Sequence, residues 1–204
     1  MNFIKYLPLI ILLFFTLKFL ISYIEKSTID LNKKQAEKQI KLGLLSIKDL
    51  QKNNYTTFIK IINIYLNILG FKENTILPNG DSNLINFKSS LNNEEVFISC
   101  IQNNLLGETP ADEDNWELTG RPAVQSFLGR ILINNCKKGI LITNSSFSDK
   151  AIEFANDFNN QNRGIKIKLV DGYELTKSIR NHNYYIMKEG LMKEGLMNEI
   201  KYNV

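Results

Sequence analysis

The 204-residue chain offers few side chains to a metal or a nucleophile. One histidine, His182, and two cysteines, Cys100 and Cys136, cannot make a zinc site of several nitrogen or sulfur ligands or a disulfide framework. Carboxylates are left as the only metal ligands. They concentrate between Gln102 and Gly120, where Glu108, Asp112, Glu113, Asp114 and Glu117 stand without a lysine or arginine. Their spacing is not that of an EF-hand, so no calcium site follows. Trp116 and Leu118 in the same stretch are of the kind that anchors a protein partner or packs on its own domain. A second group, Asp81, Glu94 and Glu95 with Lys88, has the makings of a metal site with a cationic helper. Asp81, however, suits the turn Pro78-Asn79-Gly80-Asp81, and the others suit a solvated hairpin end. Arg121, Lys137, Lys138 and Lys150 are the candidates for binding a phosphate backbone. Lysine and arginine exceed aspartate and glutamate only by 25 to 21, a net +4 too mild to demand nucleic acid.

The elements that must position these groups are legible from periodicity. A composition 44% hydrophobic in 204 residues is enough for one folded domain. After Asn53-Asn54, apolar residues recur on a helical period to a stop at Gly70. Three β-like runs follow, 71–77, 84–87 and 96–101, with Pro78 to Asp81 and Leu91-Asn92-Asn93 as turns. Pro122 opens a helix carrying Val124, Phe127, Leu128 and Ile131. Residues 139–143 read as a buried strand, Ser148 as the N-cap of a helix over 149–158, 165–170 as another strand, and 171–180 as a closing helix. This order calls for an α/β domain, a mixed sheet with helices on both faces.

Residues 3–24 form an apolar run broken by only two charges, Lys5 and Lys18, long enough to cross a bilayer as a helix. A cleaved signal peptide and a buried core helix are the competing readings; no pair of small residues follows the run for a peptidase, and its terminal position does not suit a core. Lys26, Lys33, Lys34, Lys38 and Lys41 follow it and Lys5 alone precedes it, which places the body in the cytoplasm. The expected organisation is an anchor over 1–26, a polar juxtamembrane helix or stalk over 27–52, a folded domain over 53–183, and a mobile tail over 184–204 that repeats MKEGL.

Five linked features give the domain a family likeness. They are Val124, Gln125, Leu128 and Gly129 on one helix; Lys138-Gly139 opening a strand; Thr143 ending it; Phe147, Ser148 and Ala151 at a helix start; and Asp171, Gly172 and Leu175; the likeness continues upstream with Phe58, Gly70, Phe71 and Gly80-Asp81. Together they resemble Mrr-type restriction endonuclease domains of the PD-(D/E)xK nuclease superfamily. The resemblance implies a restriction-endonuclease-like fold and Mg²⁺-dependent hydrolysis of DNA, with an aspartate, a Gln-x-Lys or Glu-x-Lys pair on the next strand, and a glutamate on the first helix. Cys100 matches a cysteine frequent in the family and sets the register. On that register Ser99 stands for the Gln or Glu, Ile101 for the lysine and Asn86 for the aspartate, while Ile59 stands for the helix glutamate.

Four replacements in a well-kept scaffold lead to one expectation. The domain is a membrane-anchored nuclease fold that does not cleave and that binds DNA or protein, with no metal site and no cofactor. An active Mg²⁺-dependent endonuclease with an altered site is the first alternative. A membrane scaffold that recruits proteins through the acidic loop 108–118, without DNA, is the second.

Overall fold

The computed structural model describes residues 14–24, 26–28, 31, 45–78, 84–103, 116–161 and 163–193. The chain divides into two compact units, Met1–Gln39 and Ile40–Val204. In the first, residues 14–24 are helical, with Phe14, Phe15, Leu17, Phe19, Leu20, Ile21, Tyr23 and Ile24 all exposed. No described helix is long and apolar enough to cross a membrane. Residues 3–13 of the expected span lie outside the described residues, as do Asp81 in its turn and the acidic loop from 104 to 115.

The second unit is built around a five-stranded sheet. A capping box between Ser46 and Asp49 starts the short helix α1 (Ile47–Lys52). Asn54 then caps α2 (Tyr55–Ile68), its side-chain oxygen accepting the Thr57 N–H at 2.9 Å. Phe58, Ile61, Ile62, Tyr65 and Leu66 recur at steps of three and four, which gives α2 one buried stripe. Gly70, at φ +84°, turns the chain out of the helix.

The strands are β1 (Lys72–Leu77), β2 (Leu84–Leu91), β3 (Glu94–Ile101), β4 (Lys138–Thr143) and β5 (Lys166–Val170), in that order across the sheet. β1 to β3 are antiparallel and β3 to β5 parallel. Asn92 and Asn93, both with positive φ, close the β2–β3 hairpin as a two-residue turn whose twist suits the strands. The parallel strands are joined by α3 (Arg121–Ile133) and α4 (Asp149–Asn160), and α5 (Gly172–Lys193) follows β5. Two crossovers in the same direction put α3 and α4 on one face. There they enclose Phe97, Leu141 and Ile167 with Val124, Phe127, Ile131 and Ala151. The other face packs Ile85, Phe87, Ile98, Cys100 and Ile142 against α2 and the start of α5.

Several residues that carry the family likeness have structural roles. A Cβ on Gly139 would stand 2.3 Å from Ile131 Cδ1 and 2.7 Å from Phe127 Cζ, so the glycine lets α3 lie directly on β4. Thr143 sits at the centre of a buried polar cluster at the strand ends. The Thr119 hydroxyl donates to Thr143 Oγ1 at 2.9 Å, and Asn103 Nδ2 donates to Thr119 Oγ1 at 2.8 Å and to Thr143 Oγ1 at 3.3 Å. Asn103 and Asn144 exchange side-chain-to-backbone bonds of 2.8 and 3.2 Å. This cluster clamps the two ends of the acidic loop onto β4. Ser148 caps α4, Ala151 is fully buried, and Asp171 Oδ1 accepts the Glu174 N–H at 2.7 Å to start α5. A Thr143→Val variant keeps the shape and removes the shared acceptor, so a loss of about 2 kcal/mol is expected on denaturant unfolding. A change within about 0.5 kcal/mol, the range of an ordinary surface substitution, would deny the cluster a structural role.

Two boundaries differ from the sequence-based expectation. Leu45 and Leu50, expected in a polar juxtamembrane helix or stalk, are wholly buried in the α2-side core, so the folded unit starts before residue 53. The last helix runs thirteen residues past Arg180 to Lys193, through the first MKEGL copy of the expected mobile tail. Met, Lys, Glu and Leu are good helix formers, and one glycine in five residues costs only about 1 kcal/mol each.

Candidate functional site

The alternation of β2 and β3 decides which residues meet. Odd positions of β2 and even positions of β3 enter the α2-side core, which leaves Asn86, Ser99 and Ile101 on the α3 side. Asn86 and Ser99 are direct cross-strand partners, and the Ser99 hydroxyl donates to Asn86 Oδ1 at 2.8 Å. Both are buried, at 5% and 1% exposure. Ile101, half-buried, pairs with Leu84 on one side and Thr143 on the other. Three of the four positions expected from the resemblance are therefore adjacent. The fourth is not: Ile59 packs on the opposite side of the sheet, against the α2-side core.

A cleft of about 190 Å³ opens over these residues, lined by Leu84, Ser99, Ile101 and Leu141 from the sheet and by Ala123, Ser126, Phe127 and Arg130 from α3. Its chemistry does not fit a divalent cation. Magnesium takes an octahedron of oxygens with carboxylates among them. Here Asn86 brings one neutral oxygen that already accepts a hydrogen bond, Ser99 brings a short hydroxyl, and Ile101 brings neither charge nor lone pair. Among the described residues, no three His, Cys, Asp or Glu side chains converge on a point that could hold a metal.

The other candidate groups are dispersed. Glu95 pairs with Lys88 at 2.9 Å and Glu94 with Lys138, so the hairpin-end carboxylates meet lysines rather than one another. The Glu95 hydrogen bond raises the Lys88 ammonium above its ordinary range. Arg121 lies over the Phe154 ring at 4.8 Å, and Lys150 is exposed in the first turn of α4. Lys137 and Lys138 lie at the opposite end of β4 from these, roughly 16 Å away at about 3.3 Å per strand residue. The four basic residues thus form no single patch. Gln125 is exposed and faces away from the cleft lining. Burial pushes the thiols of Cys100 and Cys136 up, against thiolate chemistry at neutral pH.

Ser126 carries no signal in the sequence, and Arg130 stands there as one basic residue among several expected at an ordinary surface. They stand one turn apart beside Phe127 and Ile131, and only the docking of α3 over β3 and β4 shows that this edge of the helix meets the cleft.

A sequence profile for a restriction endonuclease family, Mrr_cat, matches residues 50–179, more than half of the chain. No curated protein and no solved structure matches it.

Proposed function

The chain belongs to the Mrr_cat restriction endonuclease family, and from that premise we propose that it is a membrane-anchored member that no longer cleaves and serves as a binding module. The carrying observation is the neutral pair Asn86–Ser99 with Ile101 beside it, where the family resemblance calls for an aspartate, a Gln or Glu and a lysine. In the mechanism that the resemblance implies, a metal activates water and a cation meets the developing charge. These three side chains supply neither. What remains is a scaffold in which Gly139, Thr143, Ser148, Ala151, Asp171 and Gly172 of the likeness serve packing, buried hydrogen bonding or capping.

DNA is the partner that the family implies. The acidic loop supplies a second reading, recruitment of a protein at the membrane. Its favouring observation is that the loop's anchored end presents Glu117 and Leu118 to solvent, Leu118 at 55% exposure, on a backbone fixed by Asn103 and Thr119. The membrane role is supported by the apolar run 3–24, whose described helical residues expose eight large apolar side chains, and the lysines after it favour a cytoplasmic domain.

One experiment tests anchoring and partner together. The full chain should fractionate with membranes and deletion of residues 1–26 should release it. The washed membranes should then retain duplex DNA uncut at low salt, with affinity falling steeply as salt rises. A full chain found in the soluble fraction would overturn the anchor. DNA that is not retained at low salt would leave protein recruitment as the function.

A further inference from the structure

The cleft over Ser99 has the opposite charge to a metal site. Among the described residues, Arg130 is the one charged side chain that lines it, and no carboxylate does. Among the described residues no ion pair involves Arg130. Ser126 stands one helical turn before Arg130 on the same wall, and Leu84, Ile101, Phe127 and Leu141 make the remaining surface apolar. The Ser99 hydroxyl proton is committed to Asn86, so this serine offers a ligand lone pairs and no donor. Among the described lining side chains, the donors for an anion therefore stand on the α3 side, at Ser126 and Arg130.

We infer that the cleft binds a small organic monoanion with an apolar body. Its carboxylate is held by the Arg130 guanidinium, whose planar fork matches two carboxylate oxygens, with help from the Ser126 hydroxyl. Its body lies on Ile101, Leu84, Phe127 and Leu141. A cavity of about 150 Å³ is enough for benzene, so about 190 Å³ takes a single ring carrying a carboxylate. The replacement that removes the family's lysine thus supplies the apolar floor. This inference rests on the reading that the site does not cleave, and the two fail separately. Metal-dependent plasmid nicking would contradict that reading, whereas the outcomes below concern only the ligand.

The test is equilibrium binding of benzoate to the full chain in detergent micelles, with EDTA present and protein-free micelles as the blank. Saturable binding at one site is expected. Arg130→Ala should weaken it at least about tenfold, the effect of losing a charged hydrogen-bond partner. Ser126→Phe, at an exposed helix position, should abolish it by laying a ring across the cleft while leaving the charge in place. Benzyl alcohol, which keeps the ring and lacks the charge, and inorganic phosphate, which keeps the charge and lacks the ring, should each bind at least about tenfold more weakly. Thermal melts establish that both variants are folded. The inference is overturned if benzoate shows no saturable binding, if either folded variant binds it as the parent does, or if benzyl alcohol or phosphate binds as tightly.

Discussion

Gly172→Ala is expected to lower stability by about 3 kcal/mol, while Gly129→Ala, in the same family signature, should raise it by up to about 1 kcal/mol. A Cβ at Gly172 would stand 2.7 Å from the carbonyl oxygen of Asn144 and 3.0 Å from its carbonyl carbon. That backbone cannot retreat cheaply. Asn144 is tied twice to Asn103, and the Gly172 N–H itself donates to Ser145 O at 2.8 Å. Either α5 shifts off the sheet or the buried polar cluster opens. Gly129 has no atom within 4 Å of its added Cβ and lies exposed in α3, so alanine there gains helix propensity without a clash. Thermal unfolding of the two variants beside the parent reads the contrast. Equal shifts, or a neutral Gly172→Ala, would show that the close approach of α5 to the β4 end is not what holds this junction.

The scaffold was legible because its signals are local. Asn54 and Ser148 announce helix starts, Asn92-Asn93 announces a tight hairpin, and the β-branched run of β4 announces a strand buried on both faces. The register of Asn86 on Ser99 was also within reach, because a thirteen-residue separation across a hairpin leaves little freedom. Longer-range facts were not. The period through Ile47 and Leu50 allows a juxtamembrane helix, but nothing in the composition of Ile47–Lys52 shows that Leu50 fills the core beneath α5, since that comes from tertiary packing. Ile59 fell at the position of the family's helix glutamate by its place after Phe58, but the face it occupies depends on how α2 docks, and it packs away from the cleft. Arg130 could be seen as a basic residue. Its place as the one charge among the described residues of the cleft could not, because that depends on β2 and β3 leaving part of their α3-side face open.

The largest effect expected is the absence of DNA cleavage. Replacing an aspartate by Asn86 removes a full charge from the place where the family holds its metal, and the remaining oxygen is occupied by the Ser99 hydroxyl. Ser99 is too short to extend a Gln or Glu oxygen to the same point without backbone movement, and its buried place between β2 and β4 opposes such movement. Ile101 removes the ammonium that would meet the phosphate. Loss of one preorganised stabilising group costs a factor of roughly 10²–10³ in rate. The parts act as one unit, so the losses do not simply multiply, but little can survive the removal of all three. Arg130 does not restore the chemistry, since a cation alone neither binds a metal nor activates water. The direct measurement is conversion of supercoiled plasmid to nicked circles by the purified full chain with Mg²⁺ and with the more permissive Mn²⁺, beside an identically prepared Asn86→Ala variant. The account predicts that the plasmid stays supercoiled with parent and variant alike, at the level of a protein-free control; metal-dependent nicking by the parent that disappears in Asn86→Ala would contradict it.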